Sequence, residues 1–297
     1  MLRIIADSTC DISKEDARKM GIQIVPISVR FGDEEFLDGV EITHEEFYTR
    51  LAECDELPKT SQPSPDTFMK VFNEAVAAGD DVLGIFISSD LSGTYQSACL
   101  AALDVEEETR KKLYMVDSRS ASIGTALLIR EAVKLRDAGV NAADIAAACT
   151  EMSKYIKLTA VVGSLKYLKM GGRLSGAAAF AGTMLHITPV VSIEDGKVVV
   201  IGKTRGKKAA EKLMHDKLIK DGLSLTRDFM FGHINCSESL ETFINKSLTY
   251  ISDVNGNVCV SSIGCSVGTH VGPGTYGIAY VEAAESGMNR ESIVKTA

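Results

Sequence analysis

Short apolar runs alternate with amphipathic stretches through the first half of the chain, and this alternation predicts strands separated by helices. The predicted strands span residues 4–6, 22–29, 82–87 and 113–116. The predicted helices span residues 14–20, 45–52, 65–78, 94–103, 121–138 and 142–154. Thr43 and Glu46 have the spacing of a capping box, while Gly79 and Gly139 follow two helices as stop signals. Together these features predict an α/β fold with a parallel sheet.

The pattern changes near residue 158. Residues 187–193 and 197–203 flank a short turn and predict an antiparallel hairpin. Further strands are predicted at 229–234, 258–263 and 276–281, with helices at 207–220 and 239–248. We therefore expect an N-terminal, doubly wound α/β domain over residues 1–158. A C-terminal α+β domain with a mainly antiparallel sheet is expected over residues 159–297.

Composition narrows the classes of function. The 297 residues include 32 lysines and arginines and 40 acidic residues, and the net charge of −8 disfavours nucleic acid as a partner. No apolar run approaches the roughly 18 residues of a membrane span, and the chain starts in a predicted strand rather than a signal peptide, so we expect a cytoplasmic protein. The seven cysteines form no C-x-x-C pair and the five histidines no H-x-x-x-H group. This spacing predicts no metal site.

Hydroxyl-rich segments follow three of the predicted strands, at residues 7–9, 88–93 and 117–118. Open α/β sheets bind ligands at the edge where their strands end. Ser92 and Gly93 also precede a predicted helix, whose free N–H groups and positive dipole end favour an anion. Gly93 is expected to let that anion approach the backbone closely. Helix capping alone explains any one segment, but three at one edge favour a binding site.

Two other segments contain candidate site residues. Thr60 and Ser61 begin the segment 60–65, which contains two prolines and precedes a predicted helix. The prolines stiffen this segment, although a simple turn would have the same composition. His270 lies in the glycine-rich stretch 264–274. So many glycines in a short stretch indicate a backbone that closely approaches another group.

Basic residues concentrate in two places despite the net acidity. One group comprises Lys203, Arg205, Lys207 and Lys208, and the other comprises Lys166, Lys169 and Arg173. Each is either a solvated face or a surface that contacts an anion. The small side chains of residues 175–182 predict a helix that leaves room beside it for another helix or an apolar ligand.

Two enzyme motifs are incomplete. The G-x-S-x-G spacing around Ser266 matches a nucleophile elbow, but no aspartate follows it and His270 precedes the remaining glutamates. Residues 202–204 end like a phosphate loop, yet its first glycine would fall on Lys197. The sequence therefore predicts neither an α/β-hydrolase nor a nucleotide site.

Taken together, these motifs resemble those of the DegV family of bacterial fatty-acid-binding proteins, over essentially the whole chain. In family order they are ADST (6–9), TSQPS (60–64), LSGTY (91–95), GRLS (172–175), KTRG (203–206) and GTHVGPG (268–274). The resemblance implies one long-chain fatty acid, such as palmitate, in a tunnel between two domains, with no cofactor. It also implies a partner, a dihydroxyacetone-kinase-like fatty acid kinase that phosphorylates the bound carboxylate to an acyl phosphate.

The resemblance also implies roles for individual residues. The carboxylate site would comprise Thr60 and Ser92 with their neighbours Ser61 and Gly93, and His270 would lie near the head group.

Arg173 and Arg205 match arginines associated with productive contact with the kinase. Two positions depart from the family pattern. Thr188 stands where relatives often have a lysine, which affects the positive field for partner docking, and Cys265-Ser266 replaces a more usual Pro-Val.

The sequence thus favours a lipid-binding carrier that is not itself an enzyme, with transient membrane contact for lipid exchange. Two alternatives stay open. A lipid-sensing regulatory protein would use the same pocket without a kinase, and would not need arginines at the pocket mouth. A hydrolase or phosphatase would act on a small anion at the hydroxyl cluster, but the chain lacks a base, metal or triad in workable order.

Overall fold

The computed structural model describes residues 1–54, 56–105, 112–175, 187–224, 226–250 and 256–283. The small-residue helix predicted over 175–182 lies outside these ranges from residue 176 onward. No helix within them is both long enough and apolar enough to cross a membrane.

Strands and helices alternate in the first half, as the hydrophobic pattern predicts. The strands are β1 (Leu2–Asp7), β2 (Ile22–Val25), β3 (Ser28–Phe31), β4 (Glu34–Leu37), β5 (Lys59–Ser61), β6 (Asp81–Phe86), β7 (Leu113–Asp117), β8 (Ile156–Val161), β9 (Thr188–Glu194), β10 (Lys197–Thr204), β11 (Phe229–His233), β12 (Val258–Ser262) and β13 (Tyr276–Val281). The helices are α1 (Lys14–Met20), α2 (His44–Glu53), α3 (Pro65–Ala77), α4 (Thr94–Leu103), α5 (Ile123–Asp137), α6 (Ala142–Met152), α7 (Lys166–Met170), α8 (Lys207–Asp221), α9 (Ser237–Tyr250) and α10 (Cys265–Val271).

The first sheet is parallel, in the order β2-β1-β6-β7. Ile4 pairs with Ile22 on one side and with Leu83 on the other, and all three side chains are buried. Burial on both faces explains the continuous apolar runs that predicted these strands. The N-terminal parallel sheet is therefore confirmed.

The strand predicted over residues 22–29 is in fact two strands, and this prediction was wrong. Pro26 lies between β2 and β3, where it fixes φ and supplies no N–H for a ladder. After Pro26 the chain leaves the parallel sheet, and β3 pairs antiparallel with both β4 and β5. The result is a small three-stranded sheet that the sequence did not predict.

The second sheet has the order β10-β9-β8-β13-β11-β12, and its pairs are antiparallel except β11 with β12. The predicted hairpin is β9 and β10, so the mainly antiparallel second sheet is confirmed. The boundary predicted at residue 158 falls inside β8, all six residues of which pair with β13. All of β8, including its residues before 158, therefore belongs to the second sheet.

One buried apolar cluster joins the two sheets. It contains Ile4 and Ile85 of the first sheet, Ile123 and Leu127 of α5, and Ile193 of the second sheet. Because α5 packs between the sheets, the two halves share a core on the side where the cavities described below lie.

Candidate functional site

A cavity opens at the carboxyl edge of the first sheet. The chain runs from β1 outward to β2 and from β6 outward to β7, so the direction of winding reverses between the adjacent strands β1 and β6. Thr9 follows β1, Ile87 follows β6, and both line the cavity. Open α/β sheets form their ligand crevices at such reversals.

Polar and apolar groups share the wall of this mixed cavity. Its polar lining residues in the described ranges are Thr9, Thr60, Gln62, Ser92, Arg173, Ser266 and His270. Its apolar lining residues include Ile27, Ile87, Leu91, Leu168, Val267 and Val271. Both halves of the chain therefore contribute to one site.

Thr60 and His270 meet across the cavity wall. Thr60 is the middle residue of β5, which pairs with Val29 of β3, and its Oγ1 lies 2.9 Å from His270 Nε2. His270 comes from the seven-residue helix α10, which lies within the glycine-rich stretch 264–274. The close approach that these glycines indicated is found at Gly268, where a Cβ would lie 2.2 Å from the hydroxyl oxygen of Tyr48.

The imidazole of His270 is held in its neutral form. Burial, followed by the nearby charge of Arg173, lowers the pKa of His270 from its ordinary value of 6.5 to about 4. Its Nδ1 is buried without a hydrogen-bond partner among the described residues. Gly171 gives the ring its space, because a Cβ there would lie 2.2 Å from Nδ1.

Arg173 supplies positive charge to the mixed cavity and is the single charged side chain in its described lining. Its Nε donates to the carbonyl of Leu91 at 3.1 Å and its Nη1 to the carbonyl of Gly171 at 2.6 Å. These bonds fix the guanidinium between the two halves. Arg173, which the resemblance associates with contact with the kinase, thus lines the cavity.

Ser92 lines the cavity two residues before α4, and its hydroxyl lies 2.9 Å from that of Thr94. Gly93, the next residue, lies against the side chain of Gln62. A Cβ at Gly93 would lie 2.1 Å from Oε1 of Gln62, so its lack of a side chain accommodates this amide. The space in front of Gly93 is filled by Gln62, a residue that the sequence analysis did not select.

Three other predicted positions lie elsewhere. Ser61 follows Thr60 on β5, so its side chain points to the opposite face, where it is exposed, and it does not line the cavity. Arg205 follows β10 and is exposed, outside the lining of the described cavities. In the segment 117–118, Ser118 is buried and bonded to Ser120 and Thr125, so capping and turn formation explain it.

The mixed cavity adjoins a second, apolar cavity. Four residues line both: Ala121, Val198, Val267 and Val271. The far wall consists of alternate residues of the second sheet, Leu158, Ala160, Val191, Ile193 and Gly277. Ser122 and Thr275 also line this cavity, but their hydroxyls are hydrogen-bonded within the protein, to Asp11 and to backbone carbonyls respectively. The combined space thus has a polar part and an apolar part.

Ser266 does not form a nucleophile elbow. It is buried at the start of α10, and its N–H donates to Asp38 Oδ2 at 3.0 Å. The pair of Thr60 and His270 resembles a nucleophile and its base, but no described carboxylate orients Nδ1 of the histidine. Hydrolytic triads depend on such an orienting group.

Comparison with known proteins assigns the whole described fold to one family. The model of the DegV family of uncharacterised proteins matches residues 1–283. A DegV domain-containing protein of Clostridium acetobutylicum is 36% identical over 94% of this chain and 97% of its own. One from Clostridium perfringens is 34% identical over 95% of this chain and 98% of its own.

Solved structures agree in fold. A DegV family protein from Thermus thermophilus, described by its fatty acid binding, superposes with a TM-score of 0.86 at 31% identity, covering 95% of this chain and 99% of that one. A stearic-acid-binding protein from Eubacterium ventriosum superposes with a TM-score of 0.83 at 30% identity, covering 95% of this chain and 98% of its own. The match in sequence along nearly the full length, and in fold, shows that the chain belongs to the DegV family.

Proposed function

We propose that this protein binds one long-chain fatty acid, with its carboxylate in the mixed cavity and its tail in the apolar cavity. The observation that carries the proposal is that the two cavities adjoin and share the lining residues Ala121, Val198, Val267 and Val271. A molecule with one anionic end and one long apolar end matches this division. The fatty acid binding of the Thermus thermophilus and Eubacterium ventriosum proteins supports the same ligand class.

The tail is expected to supply most of the affinity. Burial of about 15 methylenes at about 0.8 kcal/mol each sets a ceiling near 12 kcal/mol, before the costs of ordering the chain are subtracted. The head group instead determines orientation. Thr60, Ser92 and His270 offer hydrogen-bonding groups to the carboxylate, and Arg173 adds positive charge.

We further propose that the protein presents this carboxylate to a separate fatty acid kinase. Two nitrogens of Arg173 already donate to backbone carbonyls, which limits its ability to clamp a carboxylate with both arms. A carboxylate bound mainly by hydroxyls keeps more of its nucleophilicity than one in a bidentate arginine pair. Arg205 is exposed beyond the end of β10 and is available to contact a partner.

The binding proposal is tested by titrating a fatty acid and the corresponding fatty alcohol into delipidated wild type and Ser92→Ala. A hydrogen bond to a charged group contributes about 1.5–3 kcal/mol, so the acid should lose about ten- to a hundredfold in affinity. The alcohol should lose much less, because its tail contacts are unchanged. Equal losses for both ligands would assign Ser92 to the fold rather than to the head group, and absence of binding by wild type would overturn the proposal.

The kinase proposal needs a separate assay. Arg205→Ala should bind the fatty acid like wild type but yield less acyl phosphate with a cognate kinase. Lys208→Ala, an exposed change in the same basic segment, is the matched control. Equal acyl phosphate formation by wild type and Arg205→Ala would show that Arg205 does not contribute to contact with the partner. If no acyl phosphate forms with wild type either, the carrier role fails while lipid binding stands.

A further inference from the structure

Asp38, His44 and Cys265 bring three different metal-binding groups together next to the mixed cavity. One carboxylate oxygen, one imidazole nitrogen and the thiol sulfur all lie within 4.8 Å of one another. Asp38 and His44 belong to the first half, and Cys265 begins α10 in the second. We propose that these residues form a zinc site that joins the two halves. This revises the expectation, drawn from histidine and cysteine spacing, of a chain without a metal site.

The carboxylate of Asp38 is already oriented. Its Oδ2 accepts from Ser8 Oγ at 3.2 Å and from the N–H of Ser266 at 3.0 Å, while Oδ1 accepts from the N–H of Cys265 at 3.2 Å. A carboxylate offers about four lone-pair positions, so one on Oδ1 stays available. Hydrogen bonds of this kind to a ligating carboxylate are typical of metal sites.

His44 turns its Nε2 inward. This atom lies 3.0 Å from the position of a Cβ built on Gly264, the same point that is 3.5 Å from Oδ1 of Asp38. The side chain is half-buried and has no hydrogen bond or ion pair with another described residue. An imidazole that faces a carboxylate and a thiol without a hydrogen-bond partner of its own is suited to ligation, and its partial exposure gives a metal ion access.

The distances and the donor set favour zinc. Metal–ligand bonds of 2.3 Å to sulfur and 2.0–2.2 Å to nitrogen or oxygen place tetrahedral ligands roughly 3.4–3.6 Å apart. The three ligand atoms lie within 4.8 Å of one another, so shifts of up to about 1.4 Å in their separations would bring them to this spacing. A thiolate and an imidazole select a borderline-soft ion over magnesium or calcium. A zinc ion bound by a thiolate, a carboxylate and a neutral imidazole forms a complex with no net charge. A water molecule completes the tetrahedron, and the proton of the Cys265 thiol is released to solvent.

A metal at this position would hold α10 against the first half. Cys265 is followed directly by Ser266 and Val267, which line the mixed cavity, and the same helix carries His270. A ligand that binds only the folded state stabilises the protein, so zinc should increase its melting temperature.

The test uses the metal alone, as cobalt(II), added to the full-length protein after treatment with a chelator and a thiol-free reductant. We expect one cobalt per chain, a near-ultraviolet thiolate-to-cobalt charge-transfer band, visible bands of tetrahedral intensity, and displacement by zinc. Cys265→Ser should abolish the charge-transfer band. His44→Gln changes a half-buried side chain and should preserve the fold, but should weaken metal affinity at least about tenfold.

Cys54→Ser is the matched control, since Cys54 is a free, half-buried thiol directly after the helix that begins with His44. It should keep the band, the affinity and the zinc-dependent rise in melting temperature. A charge-transfer band that persists in Cys265→Ser, an unchanged affinity in His44→Gln, or no cobalt binding by wild type would each overturn the proposal.

Discussion

Thr60 and His270 are 210 positions apart in the chain, yet their side chains lie 2.9 Å apart in the wall of one cavity. Each comes from a short element, the three-residue strand β5 and the seven-residue helix α10. The pair depends on the small antiparallel sheet holding β5 next to the second half of the chain.

Thr60→Val should weaken binding of a fatty acid about ten- to a hundredfold, because it removes a hydroxyl worth about 1.5–3 kcal/mol toward a charged group. Isothermal titration with a delipidated protein measures the loss. Ser61→Ala, which changes the next residue on the opposite face of β5, should bind like wild type. Equal losses in the two variants would show that the hydroxyl of Thr60 has no special role.

Arg173→Ala should reduce fatty-acid affinity by about 1 kcal/mol, roughly fivefold, since the guanidinium acts on the carboxylate mainly through space. The difference from wild type should shrink as salt is added. Lys169→Ala removes a charge from the exposed face of α7 and should have no effect. If Arg173→Ala binds the acid like wild type at low salt, the guanidinium does not attract the carboxylate.

Gly171→Ala should displace the ring of His270, because the new Cβ would lie 2.2 Å from Nδ1. Overpacking of this kind typically costs about 1–3 kcal/mol of stability, which a denaturant titration measures. In the His270→Ala background the same change should be nearly neutral, since the clash is gone. An equal cost in both backgrounds would place the strain in the backbone of Gly171.

His270 should make stability depend on pH between about 6.5 and 4. Its folded pKa is lowered to about 4, so the unfolded chain takes up the proton first as the pH falls. The contribution of the neutral ring is therefore complete above pH 6.5 and is lost as the pH falls toward 4. Between pH 7 and pH 5 the free energy of unfolding of wild type should fall by about 2 kcal/mol more than that of His270→Gln. Denaturant unfolding of both proteins at pH 7 and pH 5 measures this, and identical pH profiles would contradict a neutral, buried ring.

Val267→Phe should reduce the maximum chain length of the fatty acid that the protein binds. Val267 lines both cavities, so a larger side chain there fills space where the two adjoin. Each methylene excluded from the apolar cavity costs about 0.8 kcal/mol, and the loss should therefore grow from an eight-carbon to a sixteen-carbon acid. Val260→Phe, at a position 54% exposed on β12, is the control. A loss independent of chain length would mean that the tail does not pass Val267.

The long elements were predictable from the sequence because one physical cause dominates each. The strand β6 is apolar from Val82 onward since both its faces are buried, and α3 begins with a proline after its Ser64 cap. The small sheet was missed because β5 has three residues and no alternation to detect.

The candidate site was predictable only in part. Thr60, Ser92 and His270 were selected and do line one cavity. The inward position of Arg173 depends on the carbonyls of Leu91 and Gly171, and such backbone contacts leave no pattern in a sequence. The glycines around α10 indicated a close approach to another group, but the groups themselves, Tyr48 and Tyr167, lie in distant parts of the chain and leave no local pattern beside the glycines.

The position of β5 at the edge of its sheet has a consequence for motion. Only three residue pairs join β5 to β3, and its other edge has no partner strand in the described residues. Local opening of β5 therefore breaks few hydrogen bonds and leaves both larger sheets paired. Amide hydrogens of Thr60 and its neighbours should exchange with solvent by brief detachment of this strand, and each detachment would remove one side of the cavity wall without unfolding the protein.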